Sequence, residues 1–310
     1  MRLFLLVLSA VLLLVACNRD QNSLSEEEQT QLGLFNLSVT DYLEDTHPDS
    51  AMVLAGNILA MRDKIEDPSV IYNAFVQMGK TFVYKQEFDS GLVYYRQAYD
   101  FVKDGNNKAR IAKALHWLGD VHISMNEHAE ATDYLQQAIV INRDLDLKLP
   151  LATNYALLGH TFNAAYQYDS SLTYFRLAEQ LFDTLNDPTR RATILSNISD
   201  VYREINDWDN ALFIMKEALR IHDSLGNMRE VARIQNTTGI IYMNMQLYDS
   251  AIHYYRQSIP NARSVGNDFV ALIARFNLGK VLSLAGRYTE ANPILEEVYQ
   301  FCLENNIAEG

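Results

Sequence analysis

Apolar and polar positions along this chain follow two nested periods. Within a segment, apolar residues return every three to four positions, the mark of an amphipathic helix. Between segments, the same chemistry returns every 40 residues without a gap, anchored by Gly79, Gly119, Gly159, Ser199, Gly239 and Gly279. Three residues after each anchor stand Phe82, His122, Phe162, Tyr202, Tyr242 and Leu282. Twelve after, every residue is small: Gly91, Ala131, Ser171, Ala211, Ala251 and Ala291. Sixteen after, every residue is large and apolar: Tyr95, Leu135, Phe175, Met215, Tyr255 and Leu295. Nineteen after, the column is mostly small again, from Ala98, Ala138, Ala178 and Ala218 to Ser258 and Val298. Small set against large at helical spacing predicts two packed helices per repeat, with the small positions letting the backbones approach.

The punctuation has the same period. Ten residues after the anchor come Asp89, Ala129, Asp169, Asp209, Asp249 and Thr289, of which all but Ala129 are expected to cap the second helix, the aspartates also complementing its dipole. Twenty-seven after come Asn106, Asp146, Asn186, Gly226, Gly266 and Asn306, residues that tolerate the left-handed conformation closing a helix. Six units follow: 71–110, 111–150, 151–190, 191–230, 231–270 and 271–310. A degenerate unit over 31–70 precedes them, with expected helices Leu32–Asp45 and Asp49–Glu66. Its Asp49-Ser50-Ala51 matches Asp249-Ser250-Ala251. An aromatic-Asp-Ser motif also recurs every 80 residues, at Phe88-Asp89-Ser90, Tyr168-Asp169-Ser170 and Tyr248-Asp249-Ser250. Pair duplication or a surface role shared by alternate repeats would explain it. The expected last helix, Tyr288–Asn305, has no successor to cover it, and Pro260 and Pro293 weaken the helices there. An apolar patch is therefore expected at that end, for a partner, for self-association or for a missing cap.

These columns resemble the tetratricopeptide repeat, in a 40-residue variety longer than the usual unit of about 34 residues. The family's Leu-Gly pair stands at Leu118-Gly119, Leu158-Gly159 and Leu278-Gly279, and its aromatic at Phe82, Phe162, Tyr202 and Tyr242. Departures are Ser199 for glycine, His122 for the aromatic and Thr238 for leucine. The resemblance implies an all-α fold, a right-handed superhelical solenoid of stacked antiparallel helix pairs, whose business is partners rather than reactions.

The N-terminus reads as an address. Arg2 precedes an apolar run, Leu3 to Ala16, too short to cross about 30 Å of hydrocarbon. Leu14-Val15-Ala16-Cys17 resembles the lipobox of bacterial lipoproteins, which implies removal of residues 1–16 and lipidation of Cys17, followed by a polar tether over 17–30. The expected place is the bacterial cell envelope. Asn18, where an aspartate retains some lipoproteins at the inner membrane, leans toward the outer one.

Charge narrows the partner. With 26 Lys plus Arg against 39 Asp plus Glu, a net charge of −13 lacks the positive face that nucleic acid needs. Two cysteines, Cys17 and Cys302, exclude a disulfide framework and cysteine-based zinc sites. There is no Gly-rich phosphate loop, nucleophile elbow or His-Glu-x-x-His, so no enzyme activity, cofactor or metal is expected. His116, His122 and His128 fall on different helical faces, and His122 reads as a packed imidazole. The glycosylation patterns at Asn36, Asn197 and Asn236 lie on expected helices and read as chance.

In the resembled fold the first helices line a concave groove that holds peptides. Carried onto this chain, the groove-facing positions are Asn73, Gln77, Lys80 and Tyr84; then Lys113, His116, Trp117, Asp120 and Ser124; then His160; then Ser196, Asn197, Asp200 and Arg203; then Arg233 and Asn236; then Asn277 and Lys280. Asn197 and Asn277 match an asparagine with which members of the family hold an extended peptide backbone, a role suited to an amide that both donates and accepts. Lys80 and Lys113 do not form the set that grips a C-terminal carboxylate. Trp117 is either an exposed anchor or packs on the neighbouring repeat. The functional expectation is a membrane-anchored scaffold for a protein or peptide ligand. A sensory input module of a signalling system comes second. A nutrient-binding lipoprotein ranks lower, since such proteins carry long insertions, and a cytoplasmic pheromone receptor conflicts with the lipobox.

Overall fold

The computed structural model describes residues 48–305. The leader, Cys17, the tether, the expected helix Leu32–Asp45 and the closing Asn306 lie outside the described residues. Among the described residues there are thirteen α-helices and no strand. The chain divides into two compact units, Met1–Ile141 and Asn142–Gly310.

The first unit holds α1 (Pro48–Ala60), a 3₁₀ turn (Arg62–Lys64), α2 (Pro68–Tyr84), α3 (Phe88–Val102), α4 (Lys108–Ser124) and most of α5 (His128–Asp144). The second holds α6 (Lys148–Ala164), α7 (Tyr168–Thr184), α8 (Pro188–Glu204), α9 (Trp208–Ser224), α10 (Met228–Asn244), α11 (Tyr248–Ser264), α12 (Asp268–Leu284) and α13 (Tyr288–Glu304). Three-residue turns between long helices force antiparallel hairpins. Each helix from α6 to α13 packs on its neighbours in sequence, and the first helices α10 and α12 also touch. In the first unit α2 and α4 touch in the same way.

The anchor glycines are where hairpins close. A Cβ built on Gly159 would sit 2.5 Å from the Phe175 ring, and one on Gly239 2.5 Å from the Tyr255 ring. Ser199 does the same job differently, its hydroxyl donating to the Ala211 carbonyl at 2.7 Å. Ser171 donates to the Gly159 carbonyl at 2.8 Å. Above this contact the column three after the anchor stacks on the following helix: Phe82 on Tyr94, His122 on Tyr134, Phe162 on Tyr174 and Tyr242 on Tyr254, with ring centroids 5.3–5.4 Å apart. The packed His122 is buried and its Nδ1 lies 2.5 Å from Glu127 Oε2. In the second unit Arg191 pins three helices together, its Nε 2.8 Å from Glu179 and its Nη2 2.7 Å from Glu217.

Three expectations change. The Asp column does not cap: the second helices begin one residue before it, so Asp89, Asp169, Asp209 and Asp249 sit inside the first turn, where they complement the dipole. Side-chain caps fall mainly on the first helices, where Asp67, Asn107, Asp187, Asn227 and Asn267 each accept from a backbone N–H. Those helices start at Pro68, Lys108, Lys148, Pro188, Met228 and Asp268, three residues before the expected unit boundaries. Lastly, the helix expected over Asp49–Glu66 ends at Ala60 and is followed by the 3₁₀ turn, and Asp67, extended ahead of Pro68, caps α2. By contrast, Asp146, Asn186, Gly226 and Gly266 do adopt the left-handed conformation, although Asn106, in the longer connection between α3 and α4, does not, and helices α11 and α13 run through Pro260 and Pro293.

Candidate peptide-binding groove

Each first helix presents one stripe to its hairpin partner and a second, more polar stripe to the side. In the second unit this polar stripe is tied laterally from helix to helix. Asn197 on α8 places its Nδ2 3.1 Å from His160 Nε2 on α6, and Asn277 on α12 donates to Asn236 Oδ1 on α10 at 3.1 Å. The two asparagines singled out by the family pattern therefore each bridge to the preceding first helix. Their Oδ1 atoms have no partner among the described residues and remain free to accept. Between the bridges, Asp200 pairs with Arg203 at 3.1 Å, and Arg233 pairs with Glu230 at 2.8 Å.

His160 is open to water, yet burial by the flanking helices holds its imidazole below its ordinary pKa. Asp200 keeps about a third of its side chain exposed (34%), yet burial pushes its carboxyl above the ordinary range, with Arg203 and Arg233 opposing that push. Phe175 supports His160, whose ring meets it edge-on at 5.0 Å. Lys280 is exposed at the far end of the stripe, whereas Ser196 is sealed and donates to the Ala192 carbonyl.

The corresponding stripe of the first unit is more closed. Gln77 is only 3% exposed, with its Nε2 buried and unpaired, so it cannot meet a ligand as the family pattern implied. Trp117 is half-buried: it stacks on Tyr95 of α3 at 5.9 Å, takes Lys80 Nζ over its ring at 5.0 Å and meets the His116 edge. Of the two roles the sequence allowed, packing on the neighbouring repeat is the one the structure displays. Burial raises the Asp120 carboxyl, opposed by His116. Asn73, Tyr84 and Lys113 are exposed, and Ser124 turns back to the Asp120 carbonyl.

Sequence reasoning missed Glu230 as the partner of Arg233, and it missed the aromatic column that roofs the hairpins. That column, Tyr94, Tyr134, Tyr174 and Tyr254, was legible fifteen residues after the anchor.

The family described as tetratricopeptide repeat matches residues 112–145, 150–224 and 230–304, more than half of the chain. No curated protein matches. Among solved structures, BtubC from P. vanneervenii is similar at 17% identity and a TM-score of 0.61, over 73% of this chain and 92% of its own. A Rap protein complexed with Competence and Sporulation Factor is similar at 15% identity and a TM-score of 0.63, over 88% of each chain. A STAND protein with a tetratricopeptide repeat sensor, from Pyrococcus horikoshii, is similar at 13% identity and a TM-score of 0.70, over 90% of this chain and 47% of its own. At these identities the likeness establishes the fold: all-α, with stacked helix pairs.

Proposed function

The chain belongs to the tetratricopeptide-repeat family, and from that premise we propose that it is a lipid-anchored, non-enzymatic scaffold of the bacterial cell envelope. It is of the 40-residue variety and holds an extended protein or peptide segment along the first helices of the second unit. The observation that carries this reading is the pair of lateral amide bridges, Asn197–His160 and Asn277–Asn236, which leave acceptor oxygens on the polar stripe of the first helices. An extended backbone offers N–H groups at regular intervals, and fixed amide acceptors match them without first having to be ordered. The Rap protein cited above is complexed with Competence and Sporulation Factor, which agrees with the reading. The anchor rests on Leu14-Val15-Ala16-Cys17. No helix among the described residues is long and apolar enough to cross a membrane. A sensory input role ranks second, and the repeat sensor of the STAND protein is its support.

Both halves of the proposal are tested in one experiment. Cells making the wild type, Cys17→Ser or Asn197→Ala/Asn277→Ala are fractionated, and the protein is cross-linked and its partner identified. Cys17→Ser is expected to leave the membrane fraction. The asparagine pair is expected to stay there, folded, while losing at least about tenfold in partner yield. Membrane retention of Cys17→Ser refutes the anchor, and an unchanged yield from the asparagine variant refutes the groove.

A further inference from the structure

The second unit has another exposed apolar row, on the edge formed by the turns between first and second helices. Tyr166 in the α6–α7 turn is 78% exposed, Ile205 in the α8–α9 turn 42%, and Leu247 in the α10–α11 turn 48%. Beside each stands an exposed carboxylate in the first turn of the following helix, respectively Asp169, Asp209 and Asp249. Asp169 and Asp209 have no cationic partner among the described residues, and Asp249 has only Arg287, at 3.6 Å. The edge is indented: Leu247, Tyr248, Asp249 and Ser250 line a depression of about 390 Å³ together with Ala285 and Arg287 of the next turn. The aromatic-Asp-Ser motif repeated along the chain thus lines this depression in its Tyr248-Asp249-Ser250 copy, with Asp249 exposed.

Tyr166 adds a reason to think the row is not incidental. Its φ is +58°, in the left-handed region, where the other turns place Gln86, Asn126, Asn206, Gln246 and Gly286. A bulky residue is strained there. Its ring finds only the edge of Tyr168, at 6.3 Å. The fold would hold this turn better with asparagine, and the exposed ring stabilises nothing nearby that would offset the strain.

We propose that this turn edge docks a basic amphipathic helix of a protein partner, independently of the groove. Charge selects the partner, since apolar side chains alternate with exposed carboxylates, of which Asp169 and Asp209 have no cation among the described residues and Asp249 has only Arg287. Geometry selects the helix. Successive turns lie about 10 Å apart, the spacing of packed helices, and a helix rises about 10.5 Å in seven residues. A leucine at every seventh position therefore meets Tyr166, Ile205 and Leu247 in turn, with lysines three or four positions away facing the aspartates. A second copy of this chain, at net charge −13, is the poorer occupant.

The probe is a fluorescent synthetic helix of about 20 residues, made of alanine with leucine at every seventh position and lysine beside it. Its binding to the full chain is followed by anisotropy at fixed ionic strength. Tyr166→Asn/Leu247→Gln is expected to weaken binding at least about tenfold. Asn197→Ala/Asn277→Ala leaves it unchanged, and glutamate in place of lysine in the peptide abolishes it. Tyr166→Asn alone is expected to raise the thermal midpoint, so lost binding is not lost folding. Equal binding by the edge variant and the wild type overturns the proposal. So does loss of binding in the groove variant alone, or a dimer whose formation Tyr166→Asn prevents.

Discussion

Phe175→Ala is expected to lower the unfolding free energy of the second unit by about 3–5 kcal/mol, the range for removing a fully buried aromatic ring. Phe175 is 1% exposed and fills the notch that Gly159 leaves in α6. No side chain on Gly159 can move in to replace the ring, so the cavity persists and its cost adds to the lost transfer energy. The converse change is also unfavourable. Gly159→Ala puts a methyl 2.5 Å from a ring with no room to retreat, and the overpacking outweighs the gain in helix propensity. Urea unfolding followed by circular dichroism measures both variants. The effect extends to function, because His160 rests on Phe175 and Asn197 bridges to His160. A loss below about 1 kcal/mol for Phe175→Ala would mean that the hairpin does not close on this ring.

His222→Phe is expected to stabilise the protein by about 1 kcal/mol at neutral pH and by more in acid. His222 has no exposure to solvent at the end of α9, and neither ring nitrogen has a hydrogen-bond partner among the described residues. Burial holds its pKa below the ordinary value, with Glu230 opposing and Arg233 reinforcing the shift. The fold therefore favours the neutral imidazole. Its contribution is fully present above the unfolded-state pKa of about 6.5 and is lost as pH falls through the lower folded value. Phenylalanine fills the same column in the preceding repeat, at Phe182, and it cannot take up a proton. The variant should thus lose less stability than the wild type between neutral and mildly acidic pH. Parallel pH dependences for the two proteins would show that the imidazole does not carry the acid sensitivity.

Periodicity made the helix pairs legible because it reports which face of a segment is apolar, and the core columns around Gly159, Phe175 and Ala178 needed nothing more. Caps were less legible. A column of aspartates ten residues after the anchor is equally compatible with capping and with first-turn placement, and only the geometry of the turn separates the two. The left-handed glycines and asparagines closing the second helices were readable because few residues tolerate that conformation. Tyr166, which adopts it in the other turn, was not readable, since an aromatic there contradicts local preference. The groove was readable only as a list of side-facing residues. Whether Gln77 is sealed, Trp117 packs on Tyr95 or Asn277 reaches Asn236 depends on contacts between different repeats. Single-column chemistry does not encode such contacts.

The most direct test of the central claim is photo-crosslinking from positions on and off the polar stripe in native membranes. A benzophenone amino acid replaces either Lys280, exposed on the polar stripe of α12, or Phe213, 70% exposed on α9, a second helix. Neither position supports the core, so both proteins fold. The account predicts that one polypeptide partner is captured from position 280 and not from position 213. Capture from position 213 alone, or equally from both, would contradict it.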